Sequence, residues 1–176
     1  IKSSAKKHVA LKNSNFALLA ALLFFSAALQ ANPPHCEGKL YGKGKRAICL
    51  PLGELSFADR LVSFYPGEKK AEAPFDNGAA ALGEPNYKST RSPDFVSLGC
   101  HGELVLQFTD NVLVDVEGMD LYIFEVGPFV EKTQVFISSD GSHWIDIGEI
   151  EGARADIDIA PFVAPGDKFS FVRLVN

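Results

Sequence analysis

From Leu50 onward, hydrophobic and polar positions follow a period of two, and no stretch carries a sustained helical period. In ELVLQFTD, Leu104, Leu106 and Phe108 alternate with Val105, Gln107 and Thr109. In LYIFEV, Leu121, Ile123 and Glu125 share one face, and Tyr122, Phe124 and Val126 share the other. Both faces are largely apolar, which predicts a strand with neighbours on both sides. TQVFISSDGSHWIDIG predicts a hairpin: Val135 and Ile137 lead into Ser139-Asp140-Gly141-Ser142, and HWIDIG returns. Its Asp-Gly supplies the positive φ that a tight turn requires. Further strands are predicted at 61–65, 95–98, 156–159 and 169–175, with one short helical turn at 77–82. Gly and Pro punctuate the chain between these elements. The pattern predicts an all-β fold over residues 50–176, an antiparallel β-sandwich or jelly roll.

The first residues follow different chemistry. Residues 1–31 contain Lys2, Lys6, Lys7 and Lys12 and no acid, and FALLAALLFFSAAL at 16–29 has Ser26 as its one polar member. A bilayer span takes about 20 apolar residues, so this run is short for one. Its basic lead and the small Ala31 predict a signal peptide over 1–31, cut between Ala31 and Asn32. An uncleaved anchor or a buried helix is the competing reading. Asn32-Pro33-Pro34 would end any helix there. Cys36 lacks the small residues that precede a lipidated cysteine. The chain therefore divides into a leader, a Cys/Lys/Gly-rich loop at 32–49 and the β domain at 50–176, exported to the periplasm or the outer surface of a bacterium.

Composition sharpens this division. The formal charge of the 176-residue chain is −5, but the four lysines of the leader conceal a net −9 in the rest of the chain. Residues 92–167 hold 15 acids against Lys132 and Arg154. That balance excludes the basic stripe of a nucleic-acid binder, and 47% hydrophobic content excludes a disordered chain. Lys39, Lys43, Lys45 and Arg46 cluster early, as a solvated loop or a contact for anionic envelope polymers. Cys36 and Cys49 bracket EGKLYGKGKRAI, and a disulfide between them would restrict the unfolded loop by roughly 3 kcal/mol. Cys100, in LGCHG, is then a small buried thiol at a strand end, although its pairing with either other cysteine stays open. No CxxC or HxxxH spacing suggests zinc.

FADRLVSFYPG, ALGEPNY, VSLGCHGELVLQFTDN, VDVEGMDLYIFEVG and VFISSDGSHWIDIG occur in that order between residues 57 and 148. Together they resemble a β-sandwich module of bacterial cell-surface and outer-membrane proteins, found in one group upstream of an OmpA-type peptidoglycan-binding domain. The SSDGSHW hairpin more loosely resembles discoidin and galactose-binding-like jelly rolls, a likeness of fold rather than ligand. The resemblance implies a further strand after FSFVRLVN and a downstream OmpA-type domain in a full-length protein. Peptidoglycan binding would belong to that domain.

Asp110, Asp115, Glu117, Asp120 and Glu125 form the sharpest candidate site, an acidic string with a bend at Gly118. Oxygen-rich loops suit Ca²⁺, which takes six to eight oxygen ligands. The spacing is not that of an EF-hand, and exposed acids capping turns are the competing reading. Glu125, beside Leu121 and Ile123, is expected to be buried and therefore paired, metal-bound or protonated. Arg173 is its candidate non-metal partner. Tyr65, Tyr87 and Phe95 are weak candidates for stacking a glycan, whereas Trp144 after the Asp-Gly turn is expected in the core. Enzymatic function is not expected. Cys100 and His101 are neighbours that an extended strand would point apart, and GCHG lacks the strand–turn–helix of a nucleophile elbow. The sequence thus reads as an exported, non-catalytic module that binds an envelope glycan with or without Ca²⁺. The alternatives are a structural spacer and, less favoured, a polysaccharide-acting enzyme.

Overall fold

The computed structural model describes residues 2–5, 36–42, 47–126, 131–152 and 154–176. Its strands are β1 (Lys2–Ala5), β2 (Lys39–Tyr41), β3 (Ile48–Leu50), β4 (Arg60–Tyr65), β5 (Glu103–Gln107), β6 (Leu121–Phe124), β7 (Thr133–Ser138), β8 (Ile145–Ile150), β9 (Arg154–Ile157) and β10 (Phe171–Val175). Short 3₁₀ turns at Gly53–Ser56 and Gly78–Ala81 supply the helical content among the described residues. Every strand pair is antiparallel. A five-stranded sheet runs β4-β5-β10-β7-β8, a three-stranded sheet β1-β6-β9, and β2 and β3 pair alone.

The period of two does its work on the central strands. Leu104 and Leu106 of β5, Val135 and Ile137 of β7, and Val172 and Leu174 of β10 are fully buried. They join Leu121 and Ile123 of β6 and Ile157 of β9 in one cluster, so both larger sheets feed the same core. Burying each such side chain is worth about 1.5–3 kcal/mol. A second, smaller cluster gathers Tyr41, Ile48, Leu50 and Tyr122 around Phe57, with the Tyr41 and Phe57 rings edge to face at 5.0 Å. The predicted Cys36–Cys49 disulfide closes the β2–β3 hairpin beside it, and Cys100 is a free, half-buried thiol.

Several expected elements differ. Residues 95–98 form no strand: Val96 and Leu98 are buried, but the Ser97 amide donates to the Phe75 carbonyl and the Leu98 carbonyl accepts from Gly67. Two separate loops take these groups, so no ladder forms. The strand expected at 156–159 is β9, two residues earlier, because the Asp158 side chain turns to cap the Ala160 amide. The last strand starts at Phe171, Phe169 making an isolated bridge to Leu113 instead. The helical turn at 77–82 is the 3₁₀ turn Gly78–Ala81, with the Asn77 side chain accepting from the Ala79 amide. The hairpin between β7 and β8 carries a longer loop than the expected tight turn. Gly141 has φ 76°, and Asp140 Oδ1 accepts from the amides of Ser142 and His143 at 2.7 and 2.8 Å.

Trp144 lies half-buried outside the core, its ring 4.8 Å from the Arg173 guanidinium, which also lies 4.2 Å from the Phe136 ring. Arg173 alternates with buried Val172 and Leu174, so it sits on the outer face of its sheet and is not the partner of Glu125. Lys2–Ala5 fall within the segment expected to be a leader, yet they pair with β6. The apolar run at 16–29 and the junction between Ala31 and Asn32 lie outside the described residues, as do Lys43, Lys45 and Arg46. Among the described residues, no helix is long and apolar enough to cross a membrane.

Candidate binding cavity and acidic loop cluster

A cavity of about 320 Å³ opens beyond the end of β6. One wall is the chain from Phe95 to Cys100, another is Glu125 and Val126, and Glu131, Thr133, Lys69 and Asn176 complete the lining. The first wall is held by close backbone packing. A Cβ on Gly67 would stand 1.9 Å from the Cys100 carbonyl oxygen, and one on Gly102 would stand 1.9 Å from the Leu98 carbonyl oxygen. Between them the Cys100 amide donates to the Glu68 carbonyl at 3.0 Å, and the Asn176 amide donates to the Gly102 carbonyl at 3.0 Å. LGCHG is therefore a tight loop rather than a strand end, with Gly99 and His101 both at positive φ.

Glu125 is only 8% exposed, as its place beside Leu121 and Ile123 suggests. Its Oε1 accepts a long 3.4 Å hydrogen bond from Thr133 Oγ1, and its Oε2 is buried with no partner among the described residues. Burial pushes its pKa above the usual carboxylate range. Glu131, exposed at the mouth, accepts from Asn176 Nδ2 at 2.8 Å. Phe95 stacks on Phe75 at 4.8 Å and meets the edge of Tyr87 at 6.0 Å; of the three expected stacking aromatics, Phe95 lines the cavity and Tyr87 does not. Tyr65, 66% exposed at the end of β4, does not line it.

Of the acidic string, Asp115 and Asp120 converge, and they are joined by Asp158: one carboxylate oxygen from each of the three lies within 4.8 Å of the other two. Asp158 arrives through sheet register, because Leu121 pairs with Ile157 and so sets Asp120 opposite Asp158. Asp120 is fully buried and spends both oxygens on the backbone, accepting from the Val116 amide at 2.9 Å and the Ile159 amide at 3.0 Å. Burial raises its pKa, those amides oppose the shift, and Asp115 and Asp158 add to it. Asp110 is elsewhere, exposed beside Asp59, and burial together with the Asp59 charge raises its pKa too. Glu117 is exposed on the loop, and Glu125 belongs to the cavity. The string thus splits into three places.

No family model matches the chain, and neither the curated proteins nor the solved structures compared with it give a match.

Proposed function

We propose that this chain is an exported, non-catalytic module of a bacterial envelope, with a β-sandwich of galactose-binding-like type, that takes a glycan-type ligand into the cavity at Glu125. The reading rests on one observation: Glu125, a buried carboxylate with one oxygen unpartnered among the described residues, lines a cavity that Phe95 lines too. Sugar sites combine these features, an apolar ring face beside a few convergent polar groups. A cavity of about 320 Å³ has room for one small moiety rather than a long chain.

Ca²⁺ belongs to this proposal as a structural ion at Asp115, Asp120 and Asp158, where three carboxylates could hold one. The competing structural role is already served by Asp120 alone, so two substitutions separate them. Asp120→Ala lowers the melting temperature in EDTA, at roughly 1–3 kcal/mol for each backbone amide left without an acceptor. Asp115→Asn leaves the melting temperature in EDTA unchanged and abolishes the rise produced by Ca²⁺. Equal melting of the parent protein in Ca²⁺ and EDTA rejects the ion. Calorimetry against a glycan array, with and without Ca²⁺, tests the binding function itself. No binding to any glycan or peptidoglycan fragment leaves a spacer that presents another domain.

A further inference from the structure

We propose that the outer face of the five-stranded sheet carries a separate site, at Arg173 and Trp144, for the carboxylate of an acidic sugar. It does not rest on the cavity at Glu125. Strand register sets Arg173 of β10 between Val105 of β5 and Phe136 of β7. Its sequence neighbours Val172 and Leu174 are fully buried, so Arg173 points away from the core. Its guanidinium lies 4.2 Å from the centre of the Phe136 ring and 4.8 Å from that of Trp144. Contact of this kind engages the flat face of a guanidinium and consumes none of its N–H groups.

The donors are therefore still unspent. Arg173 Nε is buried and has no part in the site. The two Nη nitrogens reach the surface, and they make no hydrogen bond or ion pair among the described residues. The chain has acids to spare, 22 against 17 Lys and Arg, yet none pairs with this arginine. Register places Glu103 and Asp146 on the same face. Asp146 already accepts from Gln134 Nε2 at 2.5 Å and from the Gly148 amide at 2.9 Å, and Glu103 forms no ion pair among the described residues. An open Nη edge on a guanidinium held by rings matches a carboxylate, which takes two parallel N–H bonds. Trp144, half-buried beside it, leaves part of its indole for the apolar face of a sugar ring. An inorganic anion uses Arg173 alone and a neutral sugar Trp144 alone, whereas a uronate uses both.

Trp144 is the one tryptophan of the chain, so its fluorescence reports on this face directly. The test titrates trigalacturonate and its fully methyl-esterified form into the whole chain at pH 7, following that fluorescence and, in parallel, calorimetry. Esterification keeps the rings and removes the charge. The acid is expected to bind about tenfold more tightly than the ester. Arg173→Gln is expected to erase that preference, and Arg173→Lys, which keeps the charge without the fork, to lose most of it. Glu125→Gln is expected to keep it in full, which separates this site from the cavity. Sodium sulfate at the concentration of the sugar is expected not to displace it. The assignment is overturned if trigalacturonate leaves Trp144 unchanged, if the ester binds as well as the acid, or if the preference survives in a folded Arg173→Gln protein. Loss of the preference in Glu125→Gln would move the binding to the cavity, and displacement by sulfate would leave an anion site without a sugar; either rejects the proposal.

Discussion

Two buried carboxylates show how differently the same group can be used. Asp120 has no exposed surface and both oxygens engaged by backbone amides, so it works as a splice between the β6 entry and the chain after β9. Glu125, five residues on, has one long hydrogen bond and one oxygen with none among the described residues. An unmet buried acceptor costs about 1–3 kcal/mol, and proteins keep such groups where they have another use. The cost has a sign that can be measured. Burial raises the folded-state pKa of Glu125 above its unfolded value, so the folded protein holds more protons between the two. Its contribution to stability is full below the unfolded carboxylate pKa and is lost as pH rises through the folded one. Glu125→Gln removes the ionising group. The variant should therefore be more stable than the parent at neutral pH, by roughly 1 kcal/mol, with the gap closing as pH falls toward 4. Chemical denaturation at several pH values checks this; a gap that widens on acidification would reverse the assignment of the buried charge.

At the scale of elements, the β7–β8 loop is the clearest case of sequence dictating conformation. Gly141 sits at φ 76°, and a Cβ there would lie 3.3 Å from the Phe171 ring. Gly141→Ala meets both the left-handed penalty and that ring, and should lower stability by about 1–2 kcal/mol without altering the cavity, which thermal melts and sugar titration read separately. Such elements are legible because alternation and turn chemistry are local. β5, β6, β7, β8 and β10 follow from them, as does the burial of Glu125. β2 and β3, three residues each, carry too short a pattern to register and are joined by a disulfide instead. The segment at 95–98 has a strand's composition but no strand to pair with, a fact set by distant loops. The candidate site divides the same way. Asp115 and Asp120 are near in sequence, whereas Asp158 joins them only through the β6–β9 register. Phe95, Cys100, Thr133 and Asn176 line the cavity together with Glu125 from separate parts of the chain, and no spacing encodes that meeting.

For the whole molecule, the proposed leader and β1 compete for the same residues, since Lys2–Ala5 cannot be both discarded and retained. β1 is an unusual strand. Lys2, Ser3 and Ser4 are all buried, the Ser3 and Ser4 hydroxyls have no partner among the described residues, and burial lowers the Lys2 pKa. Against these costs stand its ladder to β6, the bridge from Ser4 to Phe57 and the Ala58 amide donating to the Ser3 carbonyl. None of its described side chains belongs to the main core, which unites the five-stranded sheet with β6 and β9. What β1 covers is the smaller cluster around Phe57 and Tyr122. A chain beginning at Asn32 should therefore still fold cooperatively, melting a few degrees lower. Hydrogen exchange should show the loss confined to the β6 edge that faced β1, with β5 and β10 as protected as before. Collapse of the cooperative transition would make β1 integral and count against removal of the leader. The complementary measurement is the mass of the protein recovered from the periplasm or surface of an exporting bacterium. A mature start at Asn32 supports the cleavage, and a form that keeps Lys2–Ala5 places β1 in the working molecule.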